Sequence, residues 1–180
     1  GNNRDNNRYI QDVVDFYLNF DEDGRVVCLK RNGENAFRII AYADGTENVV
    51  KDFEGNYHEE YLRSGDWLLN KKTLEMYNIM TAQTFTLSVE NTNGFTPDLF
   101  VTDGSNVFLR GLSDGKAAIV LGKTDGACGC YYNDMFARVF APAILSDGSV
   151  VVSVAADMEG SSYSVKIFST EQQAATEDKN

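Results

Sequence analysis

Short apolar runs separated by turn residues recur along the chain and predict strands joined by tight turns. In Phe16–Leu29 an apolar run ends at Asp21–Gly24 and a second run, Val26–Leu29, follows at once. Similar pairs of runs flank Asp103-Gly104 and Asp147-Gly148. An Asp-Gly pair between apolar runs is a strong hairpin signal, because glycine reaches positive φ without a Cβ clash. These three stretches are therefore predicted β-hairpins.

Other segments show the alternation or the bounded apolar runs that are typical of strands. They cover residues 37–42, 49–53, 67–69, 74–79, 84–89, 117–121, 150–155 and 163–168. The uninterrupted run Ala117–Leu121 predicts a strand that is buried on both faces. Residues 8–14 fit either a short helix or an extended segment leading into a strand at 15–20. The polar ends, 1–8 and 170–180, are predicted to be loose.

The predicted turn glycines repeat at a nearly constant interval. They fall at positions 24, 65, 104 and 148, which gives spacings of 41, 39 and 44 residues. A period near 40 residues with three or four strands per repeat is expected of β-propeller blades. In this respect the chain resembles β-propeller repeat proteins, especially the secreted or lipid-anchored propellers of gut bacterial envelopes.

That resemblance implies an all-β fold of antiparallel meanders in about four repeats of roughly 40 residues. The motifs are unspecific, since the Gly-His and Trp-Asp pairs of one propeller class and the double glycines of another are missing. A β-sandwich or an open barrel with regular turns is the alternative. With 180 residues and 12% aromatic residues, the chain is expected to form a single all-β domain spanning 1–180.

The net charge of the protein limits the kinds of partner that it is expected to bind. The 16 basic and 27 acidic residues give a formal net charge of −11, which repels phosphate backbones, so no nucleic-acid partner is expected. No apolar run approaches the roughly 20 residues that span a bilayer, so no membrane span is expected. The chain starts at Gly1 without Met, and with the resemblance this suggests an extracytoplasmic protein, periplasmic or at the cell surface, whose signal or anchor segment has been removed.

The first turn contains a candidate cation site. Asn19, Asp21 and Asp23, followed by Gly24, match the first half of a calcium loop, in which oxygen ligands alternate before a glycine turn. An EF-hand loop needs a bidentate acid at its twelfth position, and this position is Lys30. An ordinary acidic hairpin is therefore the favoured interpretation; no cofactor is expected, and Ca²⁺ is the weaker alternative.

The cysteines and the single histidine give little support for metal or hydrolase chemistry. Cys128 and Cys130 flank one glycine, whereas structural zinc sites usually separate their cysteines by two to four residues and need further ligands. Three cysteines imply no disulfide framework. The sole candidate base for a nucleophile is His58, which lies in a polar stretch. Inert thiols and a surface histidine are the expected interpretation, and no catalytic residue is assigned.

The stretch 123–138 lacks a clear period and is predicted to be the longest irregular loop. Its Tyr131, Tyr132, Asn133 and Asp134, together with Trp67, could offer flat faces and polar groups that stack on a sugar or anchor a protein. We therefore predict a non-catalytic binding or assembly module with a protein or carbohydrate partner. The alternatives are a carbohydrate-active enzyme or its accessory domain, and a structural segment of a larger propeller.

Overall fold

The described part of the chain is built almost entirely of β-strands. The computed structural model describes residues 9–89, 94–132, 138–157, 159 and 162–169, with the backbone alone for 131 and 132. Two compact units, Gly1–Tyr61 and Leu62–Asn180, divide the chain. The all-β prediction is confirmed, and among the described residues no sheet closes into a barrel. The single-domain assignment stays a prediction.

The first unit contains one antiparallel sheet of four strands in the order β1-β2-β3-β4, followed by a short helix. Its elements are β1 Asn19–Phe20, β2 Val26–Arg31, β3 Ala36–Ala43, β4 Thr46–Glu54 and α1 Tyr57–Glu60. Three consecutive residues are buried in β2 (27–29) and three in β3 (39–41), and Leu29, Phe37 and Ile39 are fully buried. The edge strand β4 is exposed over most of its length and carries four charged residues, which protects an edge from unwanted pairing.

The second unit contains three further sheets, and neighbouring strands in them are antiparallel except for one pair. The first sheet has β5 Tyr61–Ser64, β6 Trp67–Asn70, β7 Glu75–Asn78 and β8 Thr84–Thr86. The second has β9 Ser88–Val89, β10 Thr96–Thr102, β11 Asn106–Ser113, β12 Lys116–Lys123 and β13 Ala127–Tyr132. The third has β14 Arg138–Val139, β15 Ala143–Ile144, β16 Val150–Ala155 and β17 Tyr163–Phe168. The order in the second sheet is β10-β11-β12-β13-β9, with β9 parallel to β13.

The sheet β10–β13 is buried on both faces. Alternate residues of β11 and β12, such as Leu109 and Val120, pack against Trp67 and Leu69 of the preceding sheet. The residues between them, Phe108, Ile119 and Leu121, pack against valines of β16 and against Phe168. Since side chains of a strand point alternately to opposite faces, this sheet contributes side chains to two hydrophobic cores. The predicted double burial of residues 117–121 is confirmed for 118–121.

Two of the turns share one hydrogen-bond pattern. The amide of Asp21 donates to the carbonyl of Arg25, and the amide of Gly24 donates to the carbonyl of Asp21. At the other end of the chain, the same two bonds join Leu145 to Ser149 and Gly148 to Leu145. Both glycines have positive φ, 76° and 87°, and this conformation is strained in a residue that has a side chain. The hairpins predicted at these turns are confirmed, as is the one at Gly104.

The strand before each of these two turns is interrupted. In the first unit, β1 pairs with β2 at residues 26–27, and Val13 pairs with Lys30 further along β2. In the third sheet of the second unit, β14 and β15 pair with opposite ends of β16, whose whole length pairs with β17 on its other side. Hence β14 and β15 are two pieces of one strand. Pro142 lies in the gap, and it has no amide for a ladder.

Some predictions of local structure were wrong. Residues 127–132 are not an irregular loop but the strand β13, which pairs with β12. The predicted strand 15–20 is paired with β2 only at its end, residues 19–20, and the amide of Phe16 donates to the side chain of Asp15. A four-residue helix that was not predicted, α1, begins after Asn56, whose side chain caps the amide of Glu59. Among the described residues, no helix has the length and apolarity needed to cross a bilayer.

Candidate functional site

A cleft in the second unit lies at one end of the strands of two neighbouring sheets. Its volume is about 270 Å³. The lining residues come from β10, β11 and β12 on one side and from β14 and the residue after it on the other: Asp98, Arg110, Gly111, Leu112, Ala117, Arg138, Val139 and Phe140. Two arginines thus line a small cleft of an otherwise acidic protein.

Arg110 is held by protein groups on both sides of the cleft. Its Nε donates to Oδ1 of Asp98 at 2.6 Å, from the neighbouring strand β10. One of its terminal nitrogens donates to the carbonyl of Val139 in β14. The guanidinium therefore links the second sheet to the third and has its charge compensated by Asp98. Its role is to fix the geometry of the cleft.

Arg138 is placed differently, although it lines the same cleft. Its guanidinium carbon lies 4.9 Å from the centroid of the Phe140 ring. In extended backbone, residues two apart point to the same side, which explains how the two side chains meet. Among the described residues, no carboxylate forms an ion pair with Arg138. The Phe140 ring holds the planar guanidinium of Arg138 at the wall of the cleft.

The remaining walls limit what can enter. Gly111 has no room for a side chain, because a Cβ there would lie 2.1 Å from the carbonyl oxygen of Thr96. Leu112 is 54% exposed and forms an apolar edge. The volume is smaller than the roughly 300–1,000 Å³ of whole-ligand pockets. The cleft therefore has room for one small chemical group, beside two arginine side chains.

The predicted binding loop lies next to this cleft in the chain, but only part of it is described. The backbone of Tyr131 and Tyr132 belongs to β13 and pairs with Ile119 and Ala118. Asn133 and Asp134 lie outside the described residues. Two residues near this stretch line the cleft. They are Arg138 and Ala117, which precedes the strand partner of Tyr132. The four predicted residues thus remain a prediction, now with a neighbouring cleft.

Trp67 does not offer a flat face to solvent. Its side chain is only 8% exposed and belongs to the core between two sheets. Its ring lies 5.7 Å from that of Phe85, and its indole nitrogen is the atom closest to a Cβ placed on Gly104. The single tryptophan therefore stabilises the packing of the β5–β8 sheet and is separate from the arginine cleft.

The residues of the predicted calcium loop form hydrogen bonds within the first turn. Asp21 accepts hydrogen bonds from the amides of Asp23 and Arg25 and from Nε of Arg25 at 2.8 Å. Desolvation raises the pKa of Asp21, but hydrogen bonds and the charge of Arg25 outweigh it and lower the pKa below its ordinary value. Asn19 accepts the amide of Phe20. These contacts are those of a closed hairpin turn, and calcium binding stays an untested prediction.

All three cysteines are buried. Burial raises the pKa of the Cys128 thiol from 9.0 to about 11, and burial, aided by Glu47 and opposed by Lys30, also raises that of Cys28. Such thiols are poor nucleophiles, because the thiolate is the reactive form. Within the described residues, no three His, Cys, Asp or Glu side chains are grouped for a metal ion.

A second, smaller cleft in the first unit contains the single histidine. It has a volume of about 170 Å³ and is lined by Val14, Arg31, Glu34, Ala36, Asn56, Tyr57 and His58. The hydroxyl of Tyr57 donates to the carboxylate of Asp15. The ring of Tyr57 lies edge-on to that of His58, 5.4 Å away. The lining residues that the structure describes include no serine, threonine or cysteine.

Sequence reasoning missed the arginine cleft. Its two arginines are 28 positions apart, and neither belongs to a motif. They come together because β14 packs beside β11, and no local pattern records that contact. A comparison with known protein families, curated proteins and solved structures gave no match to the chain.

Proposed function

We propose that the protein is a non-catalytic binding module that recognises a carboxylate-bearing protein or glycan partner in the arginine cleft. The observation that carries the proposal is Arg138, a stacked, part-buried guanidinium without an ionic partner among the described residues. A charge-assisted hydrogen bond from such a group contributes about 1.5–3 kcal/mol. The proposal includes an extracytoplasmic, cell-envelope location, which rests on the resemblance alone.

The scaffold in this proposal is propeller-like. Each of the four described sheets has a hairpin turn with a positive-φ glycine, at Gly24, Gly65, Gly104 and Gly148. A two-layer sandwich leaves one face of each sheet to solvent, whereas the β10–β13 sheet packs on both. The parallel pairing of β9 with β13 joins the end of one meander to the outer strand of the next. These features favour repeated, side-by-side meanders.

The geometry gives less support to a carbohydrate-active enzyme. Glycoside hydrolysis by the usual mechanism needs two carboxyl groups across a cleft. Among the described residues, the arginine cleft is lined by one, Asp98, and this carboxylate is bonded to Arg110. Asp98 is thus a structural partner in the described arrangement, and binding is the function that the cleft supports better.

Calorimetric titration with paired probes tests the proposal. The probes are a short galacturonic acid oligomer with its methyl ester, and a glutamate-containing peptide with its glutamine counterpart. We expect binding of at least one acidic probe, weaker binding of its neutral counterpart, and at least a tenfold loss in Arg138→Ala. Lys116→Ala, which removes an exposed charge beside the cleft residue Ala117, is the matched control.

Three results would overturn the proposal. They are an absence of binding by every acidic probe, binding that survives Arg138→Ala, and an equal loss in Lys116→Ala. Chromatography of the oligomer after incubation adds a separate check. If shorter sugars are released, and if their release requires an acidic residue of the chain, the protein would be an enzyme and not a non-catalytic binding module.

A further inference from the structure

The segment before the first turn carries large apolar side chains in solvent. Phe16, Leu18 and Phe20 are 101%, 66% and 66% exposed, whereas Tyr17 between them is buried. This alternation is that of a strand with one side packed and the other side in solvent. We call the three exposed residues the apolar stripe. Single exposed apolar residues are common in proteins, but a group of large ones marks an interaction site.

The backbone that carries the apolar stripe is held at both ends. Before the stripe, the amide of Val14 donates to the carbonyl of Leu29 at 3.0 Å, and the hydroxyl of Tyr57 donates to the carboxylate of Asp15. At its end, β1 pairs with β2. A partner therefore meets a surface that is already ordered, which reduces the entropy cost of binding.

We propose that the apolar stripe is a docking surface for a segment of a partner protein that contains both apolar and basic residues. Charge complementarity is the argument for this occupant. Residues 9–24 contain five acidic residues and no Lys or Arg. Asp15 and Asp21 adjoin the stripe at its two ends, and Glu22 and Asp23 follow in an exposed turn. Basic side chains of the partner meet these carboxylates while its apolar side chains cover the stripe.

The basic residues closest to the stripe leave this acidic character in place. The guanidinium of Arg25 lies 2.8 Å from the carboxylate of Asp21 and 4.0 Å from that of Asp23, so one positive charge faces two negative ones. The side chain of Asp23 is still 80% exposed. Lys30 forms an ion pair with a glutamate of β4, and Arg31 lines the smaller cleft. A cationic partner thus has exposed carboxylates to bind.

The same charges disfavour two other occupants of the apolar stripe. A second copy of the chain would bring its own carboxylates against those of residues 9–24, and like charges repel. An anionic lipid surface would be repelled in the same way. A basic protein segment is the occupant for which apolar contact and charge act together.

Calorimetric titration of the whole chain with synthetic octapeptides tests the proposal. The probe alternates leucine and lysine, and its two counterparts replace either every leucine by serine or every lysine by glutamate. We expect the leucine–lysine peptide to bind, and both counterparts to bind at least tenfold more weakly. Added salt should weaken the binding, because the carboxylates are exposed.

One substitution in the stripe and a matched control locate the contact. We expect Phe16→Ser to weaken binding of the leucine–lysine peptide at least tenfold, since the peptide loses an apolar contact. Val49→Ser removes another exposed apolar side chain of the same unit and should bind the peptide as the unmodified chain does. Circular dichroism and thermal melting verify that both variants fold. The proposal is wrong if the peptide does not bind, if Phe16→Ser leaves binding unchanged, or if both variants weaken it equally.

Two further measurements would assign the apolar stripe to another occupant and overturn the proposal. One is sedimentation with vesicles of anionic phospholipid that Phe16→Ser prevents. The other is a dimer in sedimentation velocity that the same substitution dissociates. Hydrogen–deuterium exchange of the unmodified chain adds a measurement without a variant. The amides of residues 14–20 should gain protection when the leucine–lysine peptide is added, and protection confined to other strands would contradict the proposal.

Discussion

Two arginines of one cleft differ because of their neighbours. Arg110 has a carboxylate and a carbonyl as partners, so its charge is used within the protein. Arg138 has an aromatic ring, which orients the guanidinium without neutralising it. The residue type alone does not distinguish a structural arginine from a binding one. The distinction depends on whether the fold brings a carboxylate within reach.

Cys128 allows a prediction about pH at the level of one residue. Its folded pKa is about 11 and its ordinary value is 9.0, so the folded state holds the thiol proton more tightly. The stabilising contribution is complete below pH 9 and is lost as pH rises toward 11, by up to about 2–3 kcal/mol. We expect the free energy of unfolding to fall over that range, measured by urea denaturation at several pH values.

Tyrosines and lysines titrate in the same range, so the control for this experiment is Cys128→Ala. This variant should be less stable near neutral pH but should lose less stability between pH 9 and 11 than the unmodified chain. Equal slopes in the two proteins would show that Cys128 does not contribute to the pH dependence.

At the level of the element, the turn residues predicted local structure more reliably than any other part of the sequence. The pairs Asp103-Gly104 and Asp147-Gly148 predicted hairpins that are present, because a positive-φ glycine is a local requirement. The strand β13 was missed because Cys128-Gly129-Cys130 lies between turn signals and lacks large alternating residues. What makes it a strand is burial of both thiols against the core, which is a tertiary effect.

The candidate site could not be predicted for the same reason. Tyr131 and Tyr132 were chosen because their surroundings looked irregular, and their backbone proved to be regular strand. Trp67 was chosen for its flat ring, but its position on β6 directs the ring into a core. The predicted loop did indicate part of the right region, since residue 138 at its end lines the cleft.

The pairing of β10 with β11 depends on Gly111. A Cβ at this position would lie 2.1 Å from the Thr96 carbonyl oxygen and 2.8 Å from Pro97 Cα, both of them backbone atoms that cannot rotate away. We expect Gly111→Ala to reduce the free energy of unfolding by about 1–3 kcal/mol. Gly126→Ala is the control, because its nearest contact would be 3.8 Å away, and its effect should stay within about 0.5 kcal/mol.

Chemical denaturation monitored by Trp67 fluorescence measures both glycine variants. Because Gly111 also lines the arginine cleft, a local rearrangement of the cleft would change probe binding as well. A Gly111→Ala protein as stable as Gly126→Ala would mean that β10 and β11 are not as close at Gly111 as described.

At the level of the whole molecule, the central question is whether sheets stack in series. Ile119 of β12 and Leu109 of β11 lie beside each other in the same sheet, yet they belong to two different cores. Both side chains are fully buried. A series of stacked sheets makes both positions essential for packing, whereas a two-layer sandwich would leave one of them facing solvent.

Alanine substitutions at these two positions therefore test the architecture without a further structure. We expect Ile119→Ala and Leu109→Ala each to lower the free energy of unfolding by about 2–5 kcal/mol, the range for emptying a packed core site. Ile167→Ala is the matched control, because Ile167 on β17 is 58% exposed, and it should cost less than about 1 kcal/mol. Urea denaturation at low concentration measures all three. A large loss at only one of the two core positions would indicate a sheet packed on a single face, and the stacked, propeller-like arrangement would then be wrong.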